Sequence, residues 1–517
     1  MARPRPGIVP AILAALVLVA CSGSVSPNPP NGPRPEPPRA DPPPGQGGLV
    51  PPNDEPYPDV FFQNPGVNPF IDTEDDALST FALDVDTGSY TVARRFLADG
   101  NLPDPDSVRV EEYVNYFPTG IAPPTTGAFA IHVDGAPTPF VQNARYQVAR
   151  VVVQSRAIPA EARPDVALTF VIDVSGSMGM ESRLELVKQS LTLLTGQLGS
   201  TDSIAIVVYG STARVVLPPT PLAQIETITG AIASLYPEGA TNAEAGLQLG
   251  YQLARQAFRE GGVNRVILAS DGVANVGNTG PESILATIRA EAGHGIQLAT
   301  LGFGMGNYND ILMEQLADDG DGFYAYVDTI DEAHRLFVDE LTSTLVTVAL
   351  DAKIQVAWDP TTVERYRLIG FENRAIADDQ FRDDRVEAGA IGAGHTVTAL
   401  YELKLAEAAV GGLAGLGTVS LRWTDAASGE VSELQQTLDG TGTAASFAAA
   451  DPYFRVSATA AAFAEVLRES YWAQQINLAT VAAEAAARRS ELPSDPTVAE
   501  LADLTARAAQ LAGQVGQ

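Results

Sequence analysis

A chain of 517 residues is too long for one hydrophobic core, so several structural units are expected. Its apolar share of 45% is that of a folded globular protein, and 63 acidic against 32 basic residues give a formal net charge of −31. That balance excludes a binder of phosphate backbones, which needs a basic surface, so nucleic acid is not an expected partner.

Residues 1–20 read as a signal peptide. Arg3 and Arg5 precede the apolar run GIVPAILAALVLVA, too short to remain as a membrane span. Cys21, the only cysteine in the chain, comes immediately after it. The stretch LVAC, Leu18 to Cys21, resembles a bacterial lipobox, after which the cysteine is lipidated and becomes the mature N-terminus. No later segment is apolar for long enough to cross a bilayer, so the membrane is expected to be reached through a lipid anchor. One cysteine permits no intrachain disulfide. Residues 21–59 are rich in proline and should form an extended, polyproline-like tether.

Residues 60–160 form an N-terminal flanking region, β-rich with one helix. A strand over Thr80 to Asp84 leads to a helix near Tyr90 to Ala98 that stops at Gly100, and AFAIHVDG and YQVARVVVQS read as further strands. Asp84 and Asp86 end the first strand in an Asp-x-Asp pattern, expected to order a turn or cap the helix. Haloacid dehalogenase-type phosphatases present a nucleophile and an acid/base group in this way. That chemistry also needs a later lysine and a doubly wound domain around the motif. The chain has only Lys188, Lys353 and Lys404, and the segment after Asp86 is not such a domain. A phosphate-transferring enzyme at Asp84 and Asp86 is therefore a second alternative. An EF-hand starting at Asp84 would place its bidentate acid on Arg95, and the acidic loop of Asp318, Asp319 and Asp321 would place it on Ile330. That loop is expected to be solvated.

From 165 to 345 continuous apolar strands (VALTFVID, SIAIVVYG, RVILASDG, IQLATLGFG) alternate with amphipathic helices. The pattern predicts an α/β fold with a doubly wound, mostly parallel sheet. Residues 346–445 return to β-type runs such as AKIQVAW and TVTALYELKL, and residues 446–517 are helical. One insertion explains both flanks: the α/β module interrupts a β-rich flanking domain, and a C-terminal helical segment ends the chain.

In such a sheet, ligands gather at the carboxyl ends of the strands. Asp173, Ser175 and Ser177 lie just beyond the first strand, Asp271 just beyond a later one, and Thr241 at a loop-to-helix junction where Asn242 is a plausible cap. Two carboxylates and three hydroxyls are hard oxygen donors suited to Mg2+. Asp173 is expected at the solvent edge, where its removal leaves the metal-free fold nearly intact. The four histidines, His132, His294, His334 and His395, have no ligand spacing, which argues against zinc and against a Ser-His-Asp triad. The glycine-rich GFGMGNYND has no phosphate-binding lysine, so no nucleotide is expected.

The Asp-x-Ser-x-Ser loop with the later threonine and aspartate resembles a von Willebrand factor type A (VWA) domain. The resemblance implies a metal-ion-dependent adhesion site at Asp173, Ser175, Ser177, Thr241 and Asp271. It would hold Mg2+, or another divalent cation such as Mn2+ or Ca2+, and engage a protein ligand that offers a carboxylate. Both flanks resemble the regions that bracket this domain in a group of bacterial envelope lipoproteins labelled calcium-activated chloride channel homologues. The missing membrane span argues against reading that label as conduction. The expected function is non-catalytic protein binding by a lipid-anchored protein of the bacterial cell envelope, facing an extracytoplasmic compartment. Ser22 stands where some bacteria place an inner-membrane-retaining Asp, which points to the outer membrane. The first alternative is a structural envelope scaffold with an unused metal site. If Cys21 carries the anchor, Cys21→Ala protein is expected to leave the membrane fraction for the soluble one on cell fractionation; unchanged membrane association would refute the lipoprotein reading.

Overall fold

Strand Val166–Asp173 is buried at all eight positions, as a strand must be when it has neighbours on both edges and helices on both faces. In the computed structural model, which describes residues 62–515 apart from 141–142, 273–280, 306–307, 410–414 and 441, it pairs in parallel with Ser203–Tyr209 and with Val263–Ser270. The expected signal peptide, Cys21 and the expected tether lie outside the described residues. Gln297–Gly302 and Tyr324–Tyr326 extend the sheet in parallel on one side. Ala213–Pro221 closes the other side as an antiparallel edge. That edge strand carries Pro218 and Pro219, which cannot donate to a ladder and are tolerated only where one side is unpaired. The prolines are also why the sequence did not mark it as a strand.

Alternate side chains of the central strand serve opposite faces. Phe170 and Ile172 pack with Leu184, Val187 and Leu191 of helix Arg183–Thr195. Val171 packs with Leu247 and Tyr251 of helix Ala243–Ala257. The latter helix lies close on the sheet because Gly250 faces Val171, and a Cβ there would run into that side chain. Its cap is Asn242, whose side chain accepts from the Ala245 amide at 3.1 Å, as the sequence indicated.

The flanks form two antiparallel sheets around one core. Tyr146–Ser155 pairs with Thr396–Leu405 in one, and Leu78–Ala82 pairs with Thr347–Trp358 in the other. Phe81, Val151, Ile354, Tyr401 and Val419 meet between them. Chain from both sides of the module thus builds each sheet, and the fold is a doubly wound module inserted in a β-rich domain. Strand Val431–Leu438, which the sequence did not reveal, is a largely exposed edge with polar residues on both faces.

The flank helix Gly88–Ala98 wedges these parts together. Val92 and Phe96 enter the core of the module. Tyr90, Ala93 and Leu97 pack with the C-terminal helices Pro452–Leu467, Leu478–Glu491 and Pro496–Val515. Between the two faces, buried Arg94 holds Asp328 of the module with Nε at 2.8 Å, Glu332 at 2.9 Å and Glu500 of the last helix at 3.0 Å. Among the described residues no helix is long and apolar enough to cross a membrane. Ending the chain after residue 345 would leave Leu78–Ala82 and Tyr146–Ser155 without their partners. Such a protein is expected to aggregate on size-exclusion chromatography, whereas a soluble monomer with native circular dichroism would refute the shared-sheet architecture.

Candidate metal centre

Because Val166–Asp173 and Val263–Ser270 are adjacent and parallel, their carboxyl ends bring Asp173 and Asp271 to one rim of the sheet. Asp173 Oδ1 accepts from the Ser175 amide at 2.7 Å, which folds the chain back over the strand end. The Ser175 and Ser177 hydroxyls then lie 3.1 Å apart, and Ser177 Oγ donates to Asp271 Oδ1 at 3.1 Å. Four of the five expected residues therefore form one hydrogen-bonded set. Thr241 is not part of this hydrogen-bonded set; the turn just before it is held against the rim, where the Gly176 amide donates to Gly239 O at 3.2 Å and the Glu238 amide donates to Val174 O. Gly239, at φ +79°, makes the turn that this approach requires.

Two participants were not foreseen. Ser270 Oγ donates to Asp173 Oδ2 at 2.9 Å, so both oxygens of Asp173 are held. Arg183 Nη1 donates to Asp271 Oδ2 at 2.7 Å. A signal for Arg183 existed: a cation in the first turn of a helix opposes the helix dipole, so its reason lies elsewhere.

The structure corrects the expected exposure of Asp173. The residue is fully buried. Burial, then the charge of Asp271, push its carboxyl up to about 6. Its removal would free a loop amide and a buried hydroxyl, so it does support the metal-free fold. The donor set fits a hard divalent cation: two carboxylates already strained by mutual repulsion, with neutral hydroxyls beside them. Among the described residues no three carboxylate, imidazole or thiol groups converge to hold a metal; this rim relies on hydroxyls for the balance.

Other expectations change as well. The helix Gly88–Ala98 begins at Thr87 without a side-chain cap; Glu112 takes the Ser89 amide at 2.7 Å instead. Asp86 is committed to the Tyr324 amide at 2.9 Å, stitching the flank to the edge strand of the module. Asp84 and Asp86 are buried beside Arg374, at 3.7 and 3.6 Å, in a structural ion network. The acidic loop is not simply solvated, because Asp318 pairs with Arg374 at 2.9 Å. In GFGMGNYND, Asn309 caps helix Asp310–Asp318 and buried Asp310 pairs with Arg109 at 2.7 Å, so both polar groups serve packing.

Residues 167–339 match the von Willebrand factor type A domain model. Residues 58–150 match a von Willebrand factor model, and residues 343–511 match the model of the C-terminal part of the uncharacterized protein YfbK. Residues 167–339 are thus a VWA domain, a fold of protein interaction and adhesion in which a divalent metal is typically bound. Over most of its length the chain is similar to YfbK of Escherichia coli K12, 42% identical over 346 residues, which cover 65% of this chain and 60% of that protein. Human inter-alpha-trypsin inhibitor heavy chain H4 is 27% identical over 227 residues, 42% of this chain and 24% of that protein. Among solved structures, a von Willebrand factor type A protein from Catenulispora acidiphila aligns over 72% of this chain and 89% of its own, at 16% identity and a TM-score of 0.42.

The buried network has a titration consequence. Burial, only partly offset by Arg374, pushes the Asp84 carboxyl from 3.8 up to about 7. Folded protein therefore holds this proton more tightly than unfolded protein, and stability falls as pH rises from about 4 through about 7. Urea unfolding of wild type at about pH 5 and about pH 8 is expected to show that loss. In Asp84→Asn, where nothing titrates at this position, the loss should be smaller. Equal losses in the two proteins would contradict the assignment.

Proposed function

We propose that the protein is a non-catalytic, metal-dependent binding module for a protein ligand, tethered by a lipid on Cys21 to the bacterial envelope and facing an extracytoplasmic compartment, with the outer membrane as its site. The observation that carries the reading is the set of Asp173, Ser175, Ser177 and Asp271 joined at one rim, with the loop to Thr241 held against it. Asp173 and Asp271 would supply the charge that holds Mg2+, with Mn2+ or Ca2+ as substitutes, and the three hydroxyls would complete the protein donors. When bound, the cation offers an open position to a carboxylate of the partner.

Ser175 and Ser177 serve this arrangement by being neutral, since further carboxylates would satisfy the cation and leave it no demand for an outside anion. The Ser175 amide bond to Asp173 keeps both hydroxyls aimed at the rim before any ligand arrives. A rival reading, an envelope scaffold whose metal site goes unused, draws on one feature: Arg183 already compensates Asp271 without a metal. Phosphate transfer at Asp84 and Asp86 has no such support, because both are locked into the interior.

Thermal or urea unfolding of the full chain, with EDTA and then with Mg2+, tests the proposal. At free metal a hundredfold above its dissociation constant, wild type should gain about 2.7 kcal/mol. Asp173→Asn keeps an oxygen acceptor for the Ser175 amide but removes the charge, so it should lose that gain. A wild type indifferent to Mg2+, or a variant that responds equally, would refute metal binding at this rim.

A further inference from the structure

Arg183 stands out among the groups at the rim. Its side chain is only 4% exposed, and so is that of its partner Asp271. The two oxygens of Asp271 are divided: Oδ1 receives the Ser177 hydroxyl and Oδ2 receives Arg183 Nη1 at 2.7 Å. A second nitrogen of the guanidinium reaches Met305 O at 3.4 Å and lies 3.5 Å from Glu181 Oε2, while Nε is buried without a hydrogen-bond partner. The cavity for this side chain is built into the fold. Gly304, at φ +85°, faces it so closely that a Cβ would run into Arg183 Nε, Cδ and Cγ.

A cation held this way is a fixed counter-charge. A metal at the rim and the guanidinium would share one carboxylate, and the charge facing the metal drops from that of two carboxylates to a net of one. Glu181 offsets little of this, because it is 44% exposed and is itself shared with Arg95 at 3.1 Å. We infer that Arg183 is an internal competitor of the metal, a positioning residue that lowers divalent-cation affinity and so sets the metal concentration at which the site becomes competent to bind a partner. The inference rests on the metal-dependent reading of the rim proposed for this protein.

Isothermal titration of the full chain with MgCl2 distinguishes the two. Arg183→Gln keeps a donor for Asp271 but removes the charge, and should bind Mg2+ at least about tenfold more tightly than wild type. Arg183→Lys keeps the charge and should stay within about threefold of wild type. Wild type that binds no Mg2+ overturns the metal reading, and the inference with it. Wild type that binds, with Arg183→Gln no tighter, overturns the inference alone. If Arg183→Gln fails to fold, the 15Nε resonance of Arg183 in wild type decides: Mg2+ should shift it saturably, and an unmoved resonance overturns the competition.

Discussion

One buried cation holds the three parts of this protein in register. Arg94 sits on a helix of the flank, and its guanidinium is divided among Asp328 and Glu332 of the inserted module and Glu500 of the last helix. The Tyr116 hydroxyl, which receives one guanidinium nitrogen and donates to Glu332, fixes its plane. Burial pushes the Asp328 carboxyl up despite the hydrogen bonds from Arg94. At Glu332, burial is outweighed by Arg335 and Arg94, which hold the carboxyl below its ordinary value. Removing the arginine from such a cluster leaves uncompensated buried charge, typically a cost of about 3–5 kcal/mol. A hinge between module and flank is therefore opposed at this point by desolvated ion pairs as well as by the apolar contacts of Val92 and Phe96.

The rim is less completely compensated. Around Arg94 each carboxylate has a guanidinium partner, and Glu332 has Arg335 as well. At the carboxyl ends of the parallel strands, two carboxylates face one arginine, and Asp173 has only hydrogen bonds for company. Burial disfavours its charge, while the bonds from the Ser175 amide and the Ser270 hydroxyl keep the carboxyl aimed at the rim. That arrangement also gives both halves of the donor set to rigid strand ends, leaving only the serine loop and the approach to Thr241 to adjust.

Much of this was legible in the sequence, for reasons that differ by element. The module was readable because continuous apolar strands between amphipathic helices have few other solutions, and Asp173, Ser175, Ser177 and Asp271 are placed by where those strands end. The insertion was readable from the composition of the two flanks. The features that escaped were those that local pattern could not encode. Edge strand Ala213–Pro221 was hidden by its prolines, and Val431–Leu438 by its lack of a buried face. Asp86 looked like a cap because its true partner, the Tyr324 amide, is remote in sequence. Arg183 and Ser270 escaped for the same reason: each is defined by a carboxylate on another strand.

The pairing of Leu78–Ala82 with Thr347–Trp358 also bears on the order in which the chain can acquire structure. During synthesis from the N-terminus, the first flank strands emerge long before their partners exist, and pairing across such a separation is slow. The module has all its strands between residues 166 and 326 and needs none of the flank to form its sheet. Its two ends leave from the same edge, where Gln297 bonds Thr347 at 3.0 Å and Val166 lies opposite Val263. Once the module has closed, it acts as a clasp that brings Ser155 and Thr347 together and shortens the effective loop the flank must close. With the module folded, the loop that the surrounding domain must close is short rather than roughly two hundred residues long, at a lower entropic cost.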